Sequence, residues 1–474
     1  MRSSIICLIG LLLFTTQNSF SQTEMSVFSA TGRAGVATTL VADYHTLGIN
    51  TANLGFEDRL GVKVVFGFAE VGASIFSDAL GKSELKDAFL QLNPSQLTEE
   101  QKSDAAFQFT NKGIAMNVDI MPIGINVNLN EYQIGGLAFS VRGRINSYIK
   151  LNDFTSNILF KGFHFSDYFD TLIVDPVSGD TLGIAGIPKR ISEVMQGTRI
   201  NFSVYTEYNF GYGRRLFANE KITLYGGLGI KLIQGYGILD INFENGTFEG
   251  FGSITPAAKF DFGSISVPSL DTLSGLKPSG KGTGFEFGLV ADFDDRFKVG
   301  ASIVDIGSIT WTGNVVSMND AILDSLHFSG FNSYNILLEI ADVLGSGGFF
   351  DIQGLQNKKI KLPTKLRLGG RMVLYDDMLV VGIDVIIPMN NAIGNYVAPV
   401  IGVGGDFSPF KQLALSSGFT FGGNYNFNVP FGFLWSFGPK RNYEFGMATR
   451  DLLTYFGQNK PTISASAGLL RFKI

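Results

Sequence analysis

From Thr198 to Tyr212 the chain alternates between two kinds of position. Ile200, Phe202, Val204, Thr206, Tyr208, Phe210 and Tyr212 make one set, and Arg199, Asn201, Ser203, Tyr205, Glu207, Asn209 and Gly211 the other. Strand side chains point to opposite faces in turn, so the segment predicts a strand with one apolar and one polar face. It is about twice the usual ~5–6 residues of a strand in a soluble sheet. A strand that crosses a membrane in a barrel needs this length and this segregation, with lipid outside and a polar lumen inside.

The pattern recurs. Leu366, Leu368, Met372 and Leu374 alternate with Lys365, Arg367, Gly369 and Arg371, and Leu137, Phe139, Val141 and Ile145 with Ala138, Ser140, Arg142 and Arg144. Phe285, Phe287, Leu289 and Ala291 alternate with Glu286, Gly288, Val290 and Asp292, whereas 379–387 and 463–474 are apolar on both faces. Fourteen strands are predicted: 61–76, 110–130, 133–148, 198–215, 221–238, 283–293, 296–306, 363–375, 378–388, 396–407, 411–424, 430–438, 443–449 and 461–473. Pro122 predicts a bulge or break in the second. Connections after even-numbered strands are short. After odd-numbered strands they are mostly long, at 77–109, 149–197, 239–282 and 307–362, then shorter at 389–395, 425–429 and 450–460. Short periplasmic turns alternating with longer extracellular loops are expected of an outer-membrane barrel, and the even count agrees. The fold class is therefore all-β: a transmembrane antiparallel β-barrel of about 14 strands.

Composition supports a membrane protein. Charged residues make up 17% of the 474, below the ~25% of soluble domains, while Gly (58) and Phe (43) are abundant. Beyond the N-terminus no apolar run reaches the ~18 residues of a membrane helix. Residues 1–21 read as a signal peptide, with Arg2, the apolar run Ile5–Phe14 and Ser19-Phe20-Ser21 as cleavage site. The expected location is the outer membrane of a Gram-negative cell. Cleavage removes Cys7, the one cysteine, and leaves no thiol for disulfides, thiolate metal sites or nucleophilic catalysis. It also removes one arginine and no acid, so the formal charge falls from −5 to −6. Without a basic run, nucleic-acid binding has no electrostatic support.

Two loops carry helical spacing: Leu85, Ala88, Phe89 and Leu92 followed by Ser95–Lys102 with Ser95 as cap, and Ile336–Leu344. Phe154, Phe160, Phe163, Phe165 and Phe169 predict an extracellular apolar surface suited to ligand capture or a protein interface.

Residues 22–60 precede the first strand and 61–474 form the barrel domain. The N-terminal segment contains Gly32-Arg33-Ala34-Gly35-Val36, Val41-Ala42-Asp43 and Asn50-Thr51-Ala52-Asn53-Leu54-Gly55. It resembles the N-terminal hatch of FadL-like long-chain fatty acid transporters, with Thr51 where those proteins carry proline. Met447–Asp451 and Phe456–Pro461 resemble a related outer-membrane barrel family with no assigned function. The resemblance implies a lumen plug that gates passage of a hydrophobic molecule, which leaves sideways through the wall. Small residues would let such a plug approach the wall closely. Its candidate ligand and plug residues are Arg33, Asp43, Asn50 and Asn53. Arg142, Arg144, Arg199, Arg367 and Arg371 are expected to face the lumen, where one could pair with Asp43.

Catalytic patterns are missing. His45, His164 and His327 are scattered, with no H-E-x-x-H. Gly280–Gly284 lacks the phosphate-loop lysine spacing and reads as a flexible connector. The expectation is no enzyme, no metal and no cofactor. Outer-membrane lipid and a hydrophobic small molecule are the expected partners. The rival, from another class, is a non-transporting barrel that scaffolds an envelope complex such as a secretion machine, a role one FadL relative plays as a carrier shuttle. Phe472, two residues from the end, is the expected assembly determinant.

Overall fold

The computed structural model describes residues 25–57, 61–85, 96–254, 277–294, 296–334, 336, 339–340, 350–375, 378–396, 398–423, 427–438, 441–457 and 461–474. The expected signal peptide lies outside them, as do Ala88, Phe89, Leu92, Ser95 and most of 336–344.

Two-faced alternation becomes a closed wall. Fourteen antiparallel strands follow in chain order: β1 Val64–Ser77, β2 Gly113–Asn128, β3 Gly136–Lys150, β4 Arg199–Ala218, β5 Thr223–Glu244, β6 Gly280–Phe293 and β7 Phe297–Trp311. Then come β8 Lys365–Leu374, β9 Leu379–Pro388, β10 Val400–Phe410, β11 Leu413–Gly422, β12 Phe431–Phe437, β13 Tyr443–Thr449 and β14 Thr462–Lys473. Each pairs with its neighbours in sequence, and β14 pairs back onto β1 from Val65↔Lys473 to Phe76↔Thr462. No edge is left unpaired, as a bilayer requires. Outward Leu228, Phe287, Leu289, Leu368, Ile383, Val403, Phe419 and Met447 are exposed in a belt. No helix among the described residues is long and apolar enough to cross a membrane.

Strand length separates two zones. β4 has 20 residues and β5 has 22, whereas a tilted membrane strand needs ~9–11. The excess projects on the side of the long connections. There, outward Ile114, Ile149, Ile200, Ile241 and Phe243 are buried against loop residues Phe109, Ile158, Phe160 and Phe331. The long loops thus form a cap with its own core against the outside of β2–β5. Phe160, Phe163, Phe165 and Phe169 are buried in it and Phe154 packs on it, so the expected exposed phenylalanine surface is corrected to a core. One cap helix, Glu99–Phe109, is capped by Thr98, which forms a capping box with Gln101. A second helix, Asp153–Lys161 capped by Asn152, was not expected.

Gly280–Gly284 is no connector but the start of β6. Pro122 sits at a bulge, as expected: the β2–β3 register shifts between Ile120 and Ile123. Two neighbouring strands share the kink. Phe68 and Ala69 of β1 both face out, with Ala69 at φ +54°, and so do Leu469 and Leu470 of β14. After the double outward step, Glu70 and Arg471 turn into the lumen.

The seam where the barrel closes is aromatic. Phe472 stacks on Phe66 of β1 at 5.3 Å and lies 5.3 Å from Tyr443 of β13. Phe472→Ala is expected to lower the yield of heat-modifiable, membrane-inserted barrel, read on unboiled gels of outer-membrane fractions. Wild-type insertion would remove Phe472 from any role in assembly.

Candidate functional site

The N-terminal segment fills the lumen. Among residues 25–55 only Ser29, Gly35, Leu40, Ala42 and Asp43 are not buried. A short helix, Phe28–Gly32, and two 3-10 turns, Asp43–Thr46 and Thr51–Gly55, carry it across the barrel. Inward-facing glycines of the wall receive it. A Cβ on Gly404 would lie 2.5 Å from the Arg33 carbonyl oxygen, and one on Gly32 3.0 Å from Gly432 Cα. Gly446 and Gly468 make room for the Phe28 ring, and Gly67 and Gly124 for Tyr44.

Asn50 and Asn53 hold the plug to itself. Both donate to the Thr38 carbonyl, at 3.0 and 3.2 Å, and Asn53 also to Val41 at 2.9 Å. The Asn50 oxygen caps the second turn by accepting from the Ala52 N–H. Thr51 is the first residue of that turn, a position where proline fits because its N–H needs no helical partner.

Charged wall residues pin the plug. Arg33 pairs with Asp406 of β10 at 2.7 Å, and Ser416 donates to the same carboxylate. Asp384 of β9 accepts from the Ala37 and Thr38 N–H groups and the Thr38 hydroxyl at 2.6–3.0 Å, with Arg367 3.6 Å away. Ser26 donates to Asp119 of β2, and Gly48 to Glu286 of β6. At the kink, Glu70 accepts from the Tyr44 hydroxyl at 2.5 Å while its other oxygen lies 2.5 Å from His45 Nε2. Asp43 meets Arg471, which also reaches Glu444 of β13 at 3.1 Å. The partner of Asp43 is thus none of the five arginines singled out from sequence. The expectation that 463–474 is apolar on both faces is corrected: Thr462, Ser464, Ser466 and Arg471 are buried on the lumen side. Arg471 escaped notice because the strand changes parity at Leu469–Leu470.

Those five do not form one cluster. Arg142 and Arg144 are buried at mid-lumen, beside Asp119 (3.6 Å) and Glu207 (3.2 Å). Lys231 continues the row with Asp305 at 2.5 Å, and Lys365 lies 3.9 Å from the same acid. Acids and bases are mixed along β2–β8, so no sign of charge dominates. Arg367 belongs to the plug contact. Arg199 is near the mouth, paired with Glu244. Arg371 lines an open vestibule of about 600 Å³ at the short-turn end, with Asp43, Asn53 and Lys298.

Part of the upper lumen is apolar. Inward Tyr205, Ile233, Ile238, Ile309 and Trp311 form a buried cluster with Phe251, Val315 and Leu362, on which Ile393 packs. Gly235 and Gly280 back the indole: a Cβ on either would come within 2.5–2.8 Å of it. Among the described residues no group of three His, Cys, Asp or Glu side chains could hold a metal.

The sequence profile of a family of unknown function, DUF5723, matches residues 188–448, more than half of the chain. The chain belongs to this family. The matched part of this DUF5723 member runs from just before β4 through β13 and leaves out the plug. No curated protein matches it in sequence. Among solved structures it is similar to a Pseudomonas putida toluene transporter, TodX (10% identity, TM-score 0.43, covering 96% of this chain and 99% of that one). It is also similar to a TodX deltaS2S3 mutant monoaromatic hydrocarbon channel (11%, 0.46, 94% and 98%) and a Pseudomonas aeruginosa FadL homologue (13%, 0.41, 96% and 99%). The strand count and closure rest on this chain's own hydrogen-bond ladder.

Proposed function

We propose that this protein is an outer-membrane barrel through which a small hydrophobic molecule passes, with residues 28–56 as the gate. The observation that carries the reading is the apolar cluster around Trp311 inside the lumen. A barrel passing only polar solutes has no use for a buried indole and isoleucines on its inner face. An apolar hollow of about 580 Å³ on the lipid face, lined by Leu228, Phe287, Leu289 and Ile303, supports a sideways exit. In that part of the wall Gly227 and Gly288 lie directly against plug residues Asn50–Ala52.

The chain has two tryptophans, and Trp435 is partly exposed on the lipid face. Trp435→Phe therefore isolates Trp311 as a reporter. Bromobenzene, a small apolar quencher, is expected to quench that protein saturably, while Trp311→Phe shows only the linear quenching of partition into micelles. Linear quenching of both proteins would count against a lumenal hydrophobic site.

A second reading, an envelope scaffold, is favoured by one feature of the cap. Strand Phe169–Val174 is the edge of a three-stranded sheet and exposes Leu172, Ile173 and Val174. Such an edge can add a partner's strand. Stoichiometric co-purification of an envelope protein would support it, and a lone barrel carrying bound lipid would favour transport.

A further inference from the structure

The lumen mouth contains a second cavity, different in chemistry from the Trp311 cluster. It measures about 230 Å³ and lies between the upper inner faces of β2–β5 and the connection after β9. Its walls are amides and carboxylates. Asn117 and Asn146 are buried, and Asn117 Nδ2 and Asn146 Oδ1 have no hydrogen-bond partner. Asn242 Oδ1 is likewise open, while its amide nitrogen and that of Asn201 donate to Asp240. A buried polar atom left unpaired costs about 1–3 kcal/mol, so the open atoms call for a partner.

Three properties define that partner. First, the open atoms include a donor and acceptors, which suits hydroxyl groups because each hydroxyl both donates and accepts. Second, the described lining carries Asp240, Glu244 and Glu249 against Arg199 alone, and Arg199 pairs with Glu244. Lys358, outside the lining, also acts on Asp240, and the remaining surplus of negative charge repels anions and favours an ammonium. Third, the volume equals about seven or eight waters, room for one ring-sized solute. The ring of Tyr148, packed on Ala115 and Phe76, gives an apolar surface for a sugar face.

We propose that this cavity is a binding site for an amino sugar, a single polyhydroxylated ring bearing an ammonium group. The site is independent of the gated passage above, and its test involves no transport. The full chain would be purified in an amine-oxide detergent, which has no sugar headgroup. It would be titrated calorimetrically with glucosamine, glucose and glucuronate below the pKa of the sugar amine. Glucosamine is expected to bind saturably, glucose about tenfold more weakly and glucuronate weakest, since the three differ in charge on one scaffold. Asn117→Ala should weaken glucosamine about three- to tenfold, and Asp240→Asn should narrow its advantage over glucose. Unboiled gel mobility reports that each variant is folded. The proposal is overturned if glucosamine binds no tighter than glucose or glucuronate, if no ligand saturates, or if a folded Asn117→Ala protein binds as wild type.

Discussion

Proteoliposomes carrying the protein without residues 28–45 are expected to leak small polar solutes at least an order of magnitude faster than those carrying the intact chain. The deletion takes out Phe28, Arg33, Val36, Thr38, Tyr44 and His45, all buried inside the wall. The space cannot close, because the fourteen-strand ladder fixes the circumference whether or not the plug is present. The cavity cannot stay dry, because Asp384, Asp406 and Glu70 each lose plug partners, and exposed carboxylates draw in water. Folding has a separate readout, since an assembled barrel keeps its heat-modifiable mobility. A folded deletion protein that stays tight would refute the plug. Arg33→Ala, which removes one pin, should leak measurably but less.

The alternation of residues 198–212 located a strand, and the parity of loop lengths made it a membrane strand. All fourteen strands appear, most near their expected limits, because period-two patterning and turn residues are local signals; β5 and β7 run on past their expected ends to Glu244 and Trp311. Arg142, Arg144 and Arg367 are buried on the lumen side because each alternates with outward Val141, Ile145, Leu366 and Leu368. What stayed illegible depends on distance or on a change of parity. Glu70 and Arg471 point inward only because two residues in succession face lipid just before each of them. Pro122 marks that kink in β2, but nothing as plain marks it in β1 or β14. Asp43 and Arg471 stand 428 positions apart, and no periodicity links them. The phenylalanines of the second long loop were legible as a cluster. Their burial was not, because it depends on strands β2–β5 outrunning the membrane.

The second large effect is expected at Arg471. Arg471→Met should lower the temperature at which the barrel unfolds and loosen the plug. Arg471 is buried with Asp43 on one side and Glu444 on the other, its guanidinium 5.6 Å from the centre of the Tyr44 ring. Lys473 still reaches Glu444 at 2.7 Å, but Asp43 has no other ion pair among the described residues. The Asp43 and Arg471 side chains are only 7–8% exposed. Removing Arg471 therefore leaves the Asp43 charge largely uncompensated, at a cost of up to about 3–5 kcal/mol and less where vestibule water reaches it. Removing both charges should restore much of that, so Asp43→Asn combined with Arg471→Met is expected to be more stable than Arg471→Met alone. A role confined to packing predicts the reverse, since the second substitution would only add damage. The gel-shift temperature of the four proteins closes the double-mutant cycle, and protease cleavage within residues 28–56 reports the plug. The single variant should be cut faster than wild type at a temperature where the wall is still folded. Equal cutting would show that Arg471 serves the β13–β14 seam and does not hold the plug.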